Sequence, residues 1–374
     1  MAGIYLHIPF CRKACVYCDF HFSVNLKGKK IMLESMISEL ALRRSFLVDE
    51  EVETIYFGGG TPSVLSAEEI SSILKQIKIN YSLSTNAEIT LEANPDDLSE
   101  QYLQELYNSG INRLSIGWQS FIPDELSWMN RAHSPHQNIY CVEVAKSIGF
   151  KNITVDLIYG SKFQNLKTWA DALKHVVQLD IEHLSCYNLT VEDRTVLGHR
   201  VKLKEEPLTD EDLSTEQFDF LMAWAESNNY DHYEISNFAK KDSYSRHNSA
   251  YWLGKKYLGI GPSAHSYDCE KRTFNVSNNS LYVKNLNNGT AFYQEEVLTR
   301  KMQFNEYVLT GLRTKWGINL EYLTENFSDF IVPAINKLEF ELNMEQIKID
   351  GNQITLTSKG KHFADHIAQK LFVI

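Results

Sequence analysis

Cys11, Cys15 and Cys18 stand in a C-x3-C-x2-C spacing near the N-terminus, in the run His7-Ile-Pro-Phe-Cys-Arg-Lys-Ala-Cys-Val-Tyr-Cys-Asp19. Three thiolates so spaced can hold three irons of a four-iron cluster and leave the fourth iron open to a small molecule. An open iron serves chemistry rather than electron storage alone. The competing use is a zinc site, which takes four ligands, most often as two pairs. Cys141, Cys186 and Cys269 are isolated and supply no second pair, although His7 or His21 would complete a Cys3His set. A disulfide or redox role lacks a neighbouring partner cysteine.

Two further groups of residues could serve a ligand. Gly58-Gly-Gly-Thr-Pro-Ser63 joins small residues that let backbone amides and carbonyls approach a bound molecule. It lacks the Gly-Lys-Ser/Thr ending of a phosphate loop, and alone it reads as a plain turn. Glu92, Gln119, Arg131 and Asp156 stand at or just beyond the ends of apolar runs. Singly each reads as a surface or ion-pair residue. On strand ends facing one pocket, the carboxylates could accept from ribose hydroxyls and the guanidinium could grip a carboxylate.

Short β-branched runs at 4–8, 54–57, 88–92, 113–117, 153–158 and 183–187 alternate with amphipathic stretches at 30–45, 66–78, 99–108, 136–147 and 167–178. That alternation is the pattern of βα units on a parallel sheet. Six units predict an α/β fold built on a partial (βα)6 barrel, with chemistry at the C-terminal strand ends. The expected organisation is a barrel over 1–195, a helical and loop-rich extension over 196–299, and a winged-helix-like α+β module over 300–374. In the extension, Thr209 with Asp212 would cap a helix. In the module, helix 304–312 precedes a hairpin about Asp350-Gly-Asn352 and a helix over 361–372. Its 8 Lys and Arg against 9 Asp and Glu in 301–374 point to packing on the barrel rather than to DNA.

Composition narrows the function. The 374 residues are 43% hydrophobic and 23% charged, with a net charge of -11, which argues against a protein that coats nucleic acid. Residues 1–10 lack a basic segment and a cleavage site, and no apolar run approaches 18 residues. A cytoplasmic protein is expected, where unpaired cysteines and an oxygen-sensitive cluster would survive.

The C-x3-C-x2-C loop followed by Gly58-Gly-Gly-Thr-Pro-Ser63 resembles the radical S-adenosylmethionine (SAM) superfamily. There the open iron chelates the amino and carboxylate groups of SAM, and an injected electron gives methionine and a 5'-deoxyadenosyl radical. With Tyr5, Glu92-Ala-Asn-Pro95, Ser115-Ile-Gly-Trp-Gln-Ser120, Asp156-Leu-Ile-Tyr-Gly160 and Tyr233-Glu-Ile-Ser-Asn-Phe238, the chain is similar to the oxygen-independent coproporphyrinogen III oxidase family and its heme chaperone branch. The resemblance implies a [4Fe-4S] cluster on Cys11, Cys15 and Cys18, and SAM on Tyr5, Tyr17, Gly59, Gly60, Thr61, Glu92, Gln119, Arg131 and Asp156. It also implies an external electron donor of unnamed kind.

Relative to the decarboxylating oxidase, Cys11 is reached without the oxidase's N-terminal extension, and Phe20 replaces a further cysteine. His247-Asn-Ser-Ala-Tyr-Trp252 resembles the chaperone branch's heme motif, which implies His247 as axial ligand with Asn248, Tyr251 and Trp252 around the porphyrin. Without that likeness, His247 reads as a residue bracing a loop, and His265 is a rival ligand. The implied function is to bind heme and pass it to apo-hemoproteins, with transient contact where the recipient lies in a membrane. The alternatives are oxidative decarboxylation of coproporphyrinogen III and a zinc-stabilised binding protein.

Overall fold

In the computed structural model, which describes residues 2–373, period-two alternation in the first six strands separates an apolar face from a polar one. These strands are β1 (Ala2–Ile8), β2 (Val52–Gly59), β3 (Leu83–Ala93), β4 (Arg113–Gln119), β5 (Asn152–Tyr159) and β6 (His183–Asn188), paired in parallel in that order. Ile55, Phe57, Ile89, Leu91, Leu114, Ile116, Val155 and Leu157 lie in one buried apolar cluster with the surrounding helices. The alternate positions are polar and still buried, among them Thr54, Glu88, Thr90, Arg113, Ser115, Thr154, His183 and Ser185. They form the lumen of a partial barrel.

The covering helices are α1 (Lys29–Leu42), α2 (Ala67–Asn80), α3 (Glu100–Ser109), α4 (Pro123–Trp128), α5 (Pro135–Ile148) and α6 (Leu166–Gln178). Their starts are written locally. Ser66 with Glu69, Ser134 with Gln137 and Asn165 with Thr168 form reciprocal caps. Cys141 is fully buried on α5, as its reading as a barrel-packing helix requires. Among the described residues, no helix is long and apolar enough to cross a membrane.

Beyond β6 come α7 (Val196–Lys202) and α8 (Glu211–Ser227), which is capped by Asp210 accepting from the Leu213 amide at 3.0 Å, not by the expected Thr209. The stretch expected to be loop-rich instead carries β7 (Asp231–Glu234), β8 (Asn237–Ala239), α9 (Arg246–Trp252), β9 (Lys256–Ile260), β10 (His265–Tyr267), β11 (Lys271–Asn275), α10 (Asn279–Asn288) and β12 (Tyr293–Val297). These strands extend both edges of the barrel into a 12-stranded sheet. β9 pairs in parallel with β1, and β8 pairs antiparallel with β6.

The C-terminal residues form α11 (Arg300–Leu312), β13 (Ile318–Asn319), α12 (Leu320–Ile335), α13 (Glu339–Asn343), β14 (Ile347–Asp350), β15 (Gln353–Leu356), α14 (Ser358–Lys361) and α15 (Ala364–Leu371). The helix expected over 361–372 is thus broken between α14 and α15. Phe304, Val308, Leu312, Ile318, Ile354 and Ile367 belong to a separate core. This module is stitched to β7: the Ile235 amide donates to the Arg313 carbonyl at 3.0 Å, the Lys315 amide to the Tyr233 carbonyl at 3.0 Å, and the Lys315 ammonium meets Asp231 at 2.8 Å. An otherwise open sheet edge is covered.

A buried carboxylate fastens the other edge. Glu39 on α1 is fully buried and accepts from the Gly261 amide and Asn275 Nδ2, both at 2.8 Å, and from the Tyr282 hydroxyl at 2.5 Å. Arg43 lies 3.9 Å from it. Removing one partner of such a set strands the others without solvent. Glu39→Ala is expected to cost about 3–5 kcal/mol in urea unfolding; a loss below 1 kcal/mol would show that the edge is held elsewhere.

Candidate functional site

The cysteine loop leaves β1 at its C-terminal end and crosses the barrel mouth. Its shape is set by backbone pairing: the Cys11 amide donates to the Ser23 carbonyl at 3.1 Å, the Val16 amide donates to the Met129 carbonyl at 3.3 Å, and the Val16 carbonyl accepts from the Leu197 amide at 2.8 Å. Cys11 is buried, and Cys15 and Cys18 are half-buried. Thr61 Oγ1 donates to Cys11 Sγ at 3.2 Å, and Arg131 Nη1 approaches Cys15 Sγ at 3.6 Å. Burial pushes the Cys11 thiol up to about 12, with the Thr61 bond opposing and the neighbouring thiols reinforcing. Such a thiol ionises when a cation coordinates it.

The glycine loop lies directly beside these sulfurs. Gly59 has φ +109°, and a side chain there would meet the His7 ring. A Cβ on Gly60 would stand 2.7 Å from the Phe10 carbonyl oxygen and 3.0 Å from Cys11 Sγ. The Gly60 and Thr61 amides donate to the Ile8 and Phe10 carbonyls at 2.8 and 2.7 Å. Close approach between loop and sulfurs therefore explains the small residues.

A cavity of about 540 Å³ opens between the sulfurs and the strand ends. Of the residues expected from the sequence, Cys11, Cys15, Cys18, Tyr17, Gly59, Gly60, Thr61, Glu92, Gln119, Arg131 and Asp156 line it. Gln119 takes φ +63°, a strained turn at the end of β4. Arg131 is held by Asn94 Oδ1 at 2.6 Å and the Gly117 carbonyl at 2.8 Å. Tyr5, also expected here, is not among the lining residues; its hydroxyl lies 3.2 Å from His7 Nδ1. The wall from Tyr187 through Asn188, Leu189 and Thr190 to Glu192, with Lys13, Phe20 and Phe22, was not expected. The end of the sixth strand was its available signal, since every strand end of a partial barrel faces the same mouth.

Two lumen carboxylates are kept from ionising easily. Burial raises Glu92 to about 7, opposed by a bond from the Tyr56 hydroxyl at 2.8 Å and reinforced by Asp156. A rise from 4.5 to about 7 corresponds to about 3 kcal/mol in favour of the neutral acid. Asp156 is raised to about 6 by burial, with Ser185 and Arg113 opposing. Buried acids beside a cavity mark a binding site better than a stability device.

The expected heme residues lie at the opposite end of the barrel. His247 is 1% exposed, its Nδ1 is 2.8 Å from Thr54 Oγ1 and its Nε2 3.1 Å from the Tyr251 hydroxyl. Burial, then the Arg113 charge, pushes it down to about 3, so the ring is neutral. The Asn248 amide is used in capping α9 by Ser245. Trp252 faces the Arg313 guanidinium, 5.4 Å from its ring centre. Both ring nitrogens of the expected ligand are therefore engaged. His265 is exposed, with its ring edge-on to Phe274 at 4.8 Å.

Three cysteines on the loop after the first strand, a glycine turn after the second, and polar strand ends around one cavity define a radical SAM-type site. Residues 5–176 match the Radical SAM superfamily. The chain is 35% identical to the heme chaperone HemW of Lactococcus lactis, over 99% of this chain and 97% of that one. It is 32% identical to that of Bacillus subtilis, over 98% of each. Coproporphyrinogen III oxidase (HemN) of Escherichia coli shares the fold, with a TM-score of 0.86 at 24% identity over 99% of this chain and 89% of that one. The chain belongs to the heme chaperone family within the radical SAM superfamily. Membership implies a [4Fe-4S] cluster and SAM, and the sulfurs, glycine cradle and cavity accommodate both. When bound, the pair supplies one-electron chemistry; the residues here would hold and orient it.

Cys15→Ser, which leaves two thiolates, is expected to abolish the brown chromophore after anaerobic reconstitution, whereas Cys141→Ser retains it; equal loss in both would remove the loop from the assignment. As acceptor of ribose hydroxyls, Glu92 would make SAM binding tighten as pH rises through about 7 and weaken below it, because the ionised form binds. Glu92→Ala is expected to weaken SAM by about 1.5–3 kcal/mol in equilibrium binding, with iron retained. Glu92→Gln should leave only the smaller pH response near 6 that Asp156 supplies. An unchanged pH profile in Glu92→Gln would return Glu92 to a structural role.

Proposed function

We propose that the protein binds heme and transfers it to apo-hemoproteins, carrying its cluster on Cys11, Cys15 and Cys18 and SAM against the glycine loop, Glu92, Gln119, Arg131 and Asp156. The observation that carries this reading is the extent of the likeness to heme chaperones, which runs through nearly the whole chain and so includes the segment around His247. A neutral histidine is the form that ligates heme iron. His247 would exchange its bonds to Thr54 and Tyr251 for the metal, with Tyr251 and Trp252 packing near the porphyrin. Recipients embedded in a membrane would need only transient contact, and the cytoplasm is the compartment this reading assigns.

Oxidative decarboxylation of coproporphyrinogen III is the second reading, favoured by the shared fold of the oxidase. Phe20, 73% exposed, lines the cavity. One experiment separates the two. Reconstituted protein is expected to bind about one heme with a shifted Soret band and to give no vinyl product from coproporphyrinogen III, SAM and reductant. His247→Ala should alter the iron coordination spectrum while the cluster absorbance stays. Decarboxylation at a useful rate would overturn the chaperone reading, and a spectrum altered only by His265→Ala would move the ligand.

A further inference from the structure

Asp and Glu make up 48 of the 374 residues, yet none stands between Asp19 and Glu34 or between Glu270 and Glu295. The two acid-free stretches meet in the fold. The first holds the return leg of the cysteine loop and the start of α1; the second holds α10, whose Asn279 Oδ1 lies 2.7 Å from His21 Nε2 and whose Tyr282 hydroxyl donates to Glu39 of α1. Apolar side chains protrude from the first stretch: Phe20 is 73% exposed, Val24 and Ile31 55% each, and Leu26 37%. Lys27 and Lys30 are exposed between them and form no ion pair among the described residues, whereas Lys29 is bonded to Glu69 at 2.7 Å. On α10 the exposed Leu281 and Lys284 repeat the combination. Asn25 Oδ1 accepts from the Lys27 amide at 3.1 Å, so the turn that carries Leu26 and Lys27 is ordered before anything binds.

We propose that this face seats the protein on an anionic lipid surface, with Phe20, Val24, Leu26 and Ile31 entering the headgroup boundary and Lys27, Lys30 and Lys284 meeting the phosphates. The residue types choose the occupant. A protein interface is depleted in lysine and needs a shaped counterpart for each apolar chain, whereas a bilayer takes up protruding apolar tips without complementarity and draws lysines to its negative surface. In a chain of net charge -11, a lysine face cleared of acids lets one side approach such a surface while the rest is repelled. The molecule is thereby oriented. The seat is superficial, since among the described residues no helix is long and apolar enough to cross a membrane. Because Phe20 also lines the cavity, the seated protein turns the cavity mouth toward the lipid. The proposal does not depend on the heme reading, and lipid alone tests it.

The test sediments reconstituted full-length protein with vesicles of phosphatidylcholine, with and without phosphatidylglycerol, and follows hydrogen exchange in the same mixtures. Binding is expected only with phosphatidylglycerol, weakening as salt is raised, with protection over 20–31. Lys27→Glu with Lys30→Glu should weaken the partition about 10-fold or more, and Val24→Ser with Ile31→Ser should weaken it as well, each variant keeping the wild-type cluster absorbance. Lys348→Glu with Lys359→Glu, an equal charge change in the C-terminal module, should leave it within about 2-fold. Equal loss in the two lysine pairs, equal binding to phosphatidylcholine alone, or no binding to either vesicle overturns the proposal. Protection of 20–31 by an acidic electron-donor protein but not by vesicles overturns it too, and gives the face to a protein partner.

Discussion

Polar side chains can line a barrel only if they satisfy one another, because an unpaired buried donor or acceptor costs about 1–3 kcal/mol. Here most of the lumen meets that demand as a linked set, the Thr90 hydroxyl being left without a partner. Arg113 donates to Thr154, Thr154 lies 3.0 Å from His183 Nδ1, and His183 Nε2 lies 2.7 Å from the Tyr233 hydroxyl. Thr54 holds His247, and Tyr56 holds Glu92. An apolar lumen would stabilise the sheet with less demand on geometry, but it would leave no carboxylates at the mouth. The barrel's interior thus reaches from the cavity at the strand ends to α9 at the opposite end.

The added strands complete this arrangement. β9 continues the parallel sheet beyond β1 and presents α9 to the barrel's lower end, while β8 and β7 carry Tyr233 to His183 and then meet the C-terminal module. Several basic residues of the module are occupied with such contacts, Arg313 on Glu234 and Asp365 among them.

The barrel was legible because its strands and helices carry strong, local periodicities, and the cysteine loop because its spacing has few alternative uses. The outer strands were not. β8 and β10 have three residues each, β9 pairs with a strand some 250 positions earlier, and the exposed Tyr293-Gln-Glu-Glu-Val297 shows no apolar alternation. The cap of α8 was misplaced by one residue because Thr209 and Asp210 are adjacent and both can cap. The cavity residues contributed by the first five strands were readable from strand ends, whereas the wall after β6 requires knowing how the strand exits. His247 was legible as a candidate ligand but not as a buried one: its bond to Thr54 depends on α9 packing against a strand some 190 residues away in sequence.

A four-iron cluster held by the cysteine loop over this lumen fixes the metal content of the folded chain. Quantifying iron, acid-labile sulfide and zinc after anaerobic reconstitution tests it most directly. About four irons and four sulfides per chain are expected. One zinc per chain with neither iron nor sulfide would contradict it.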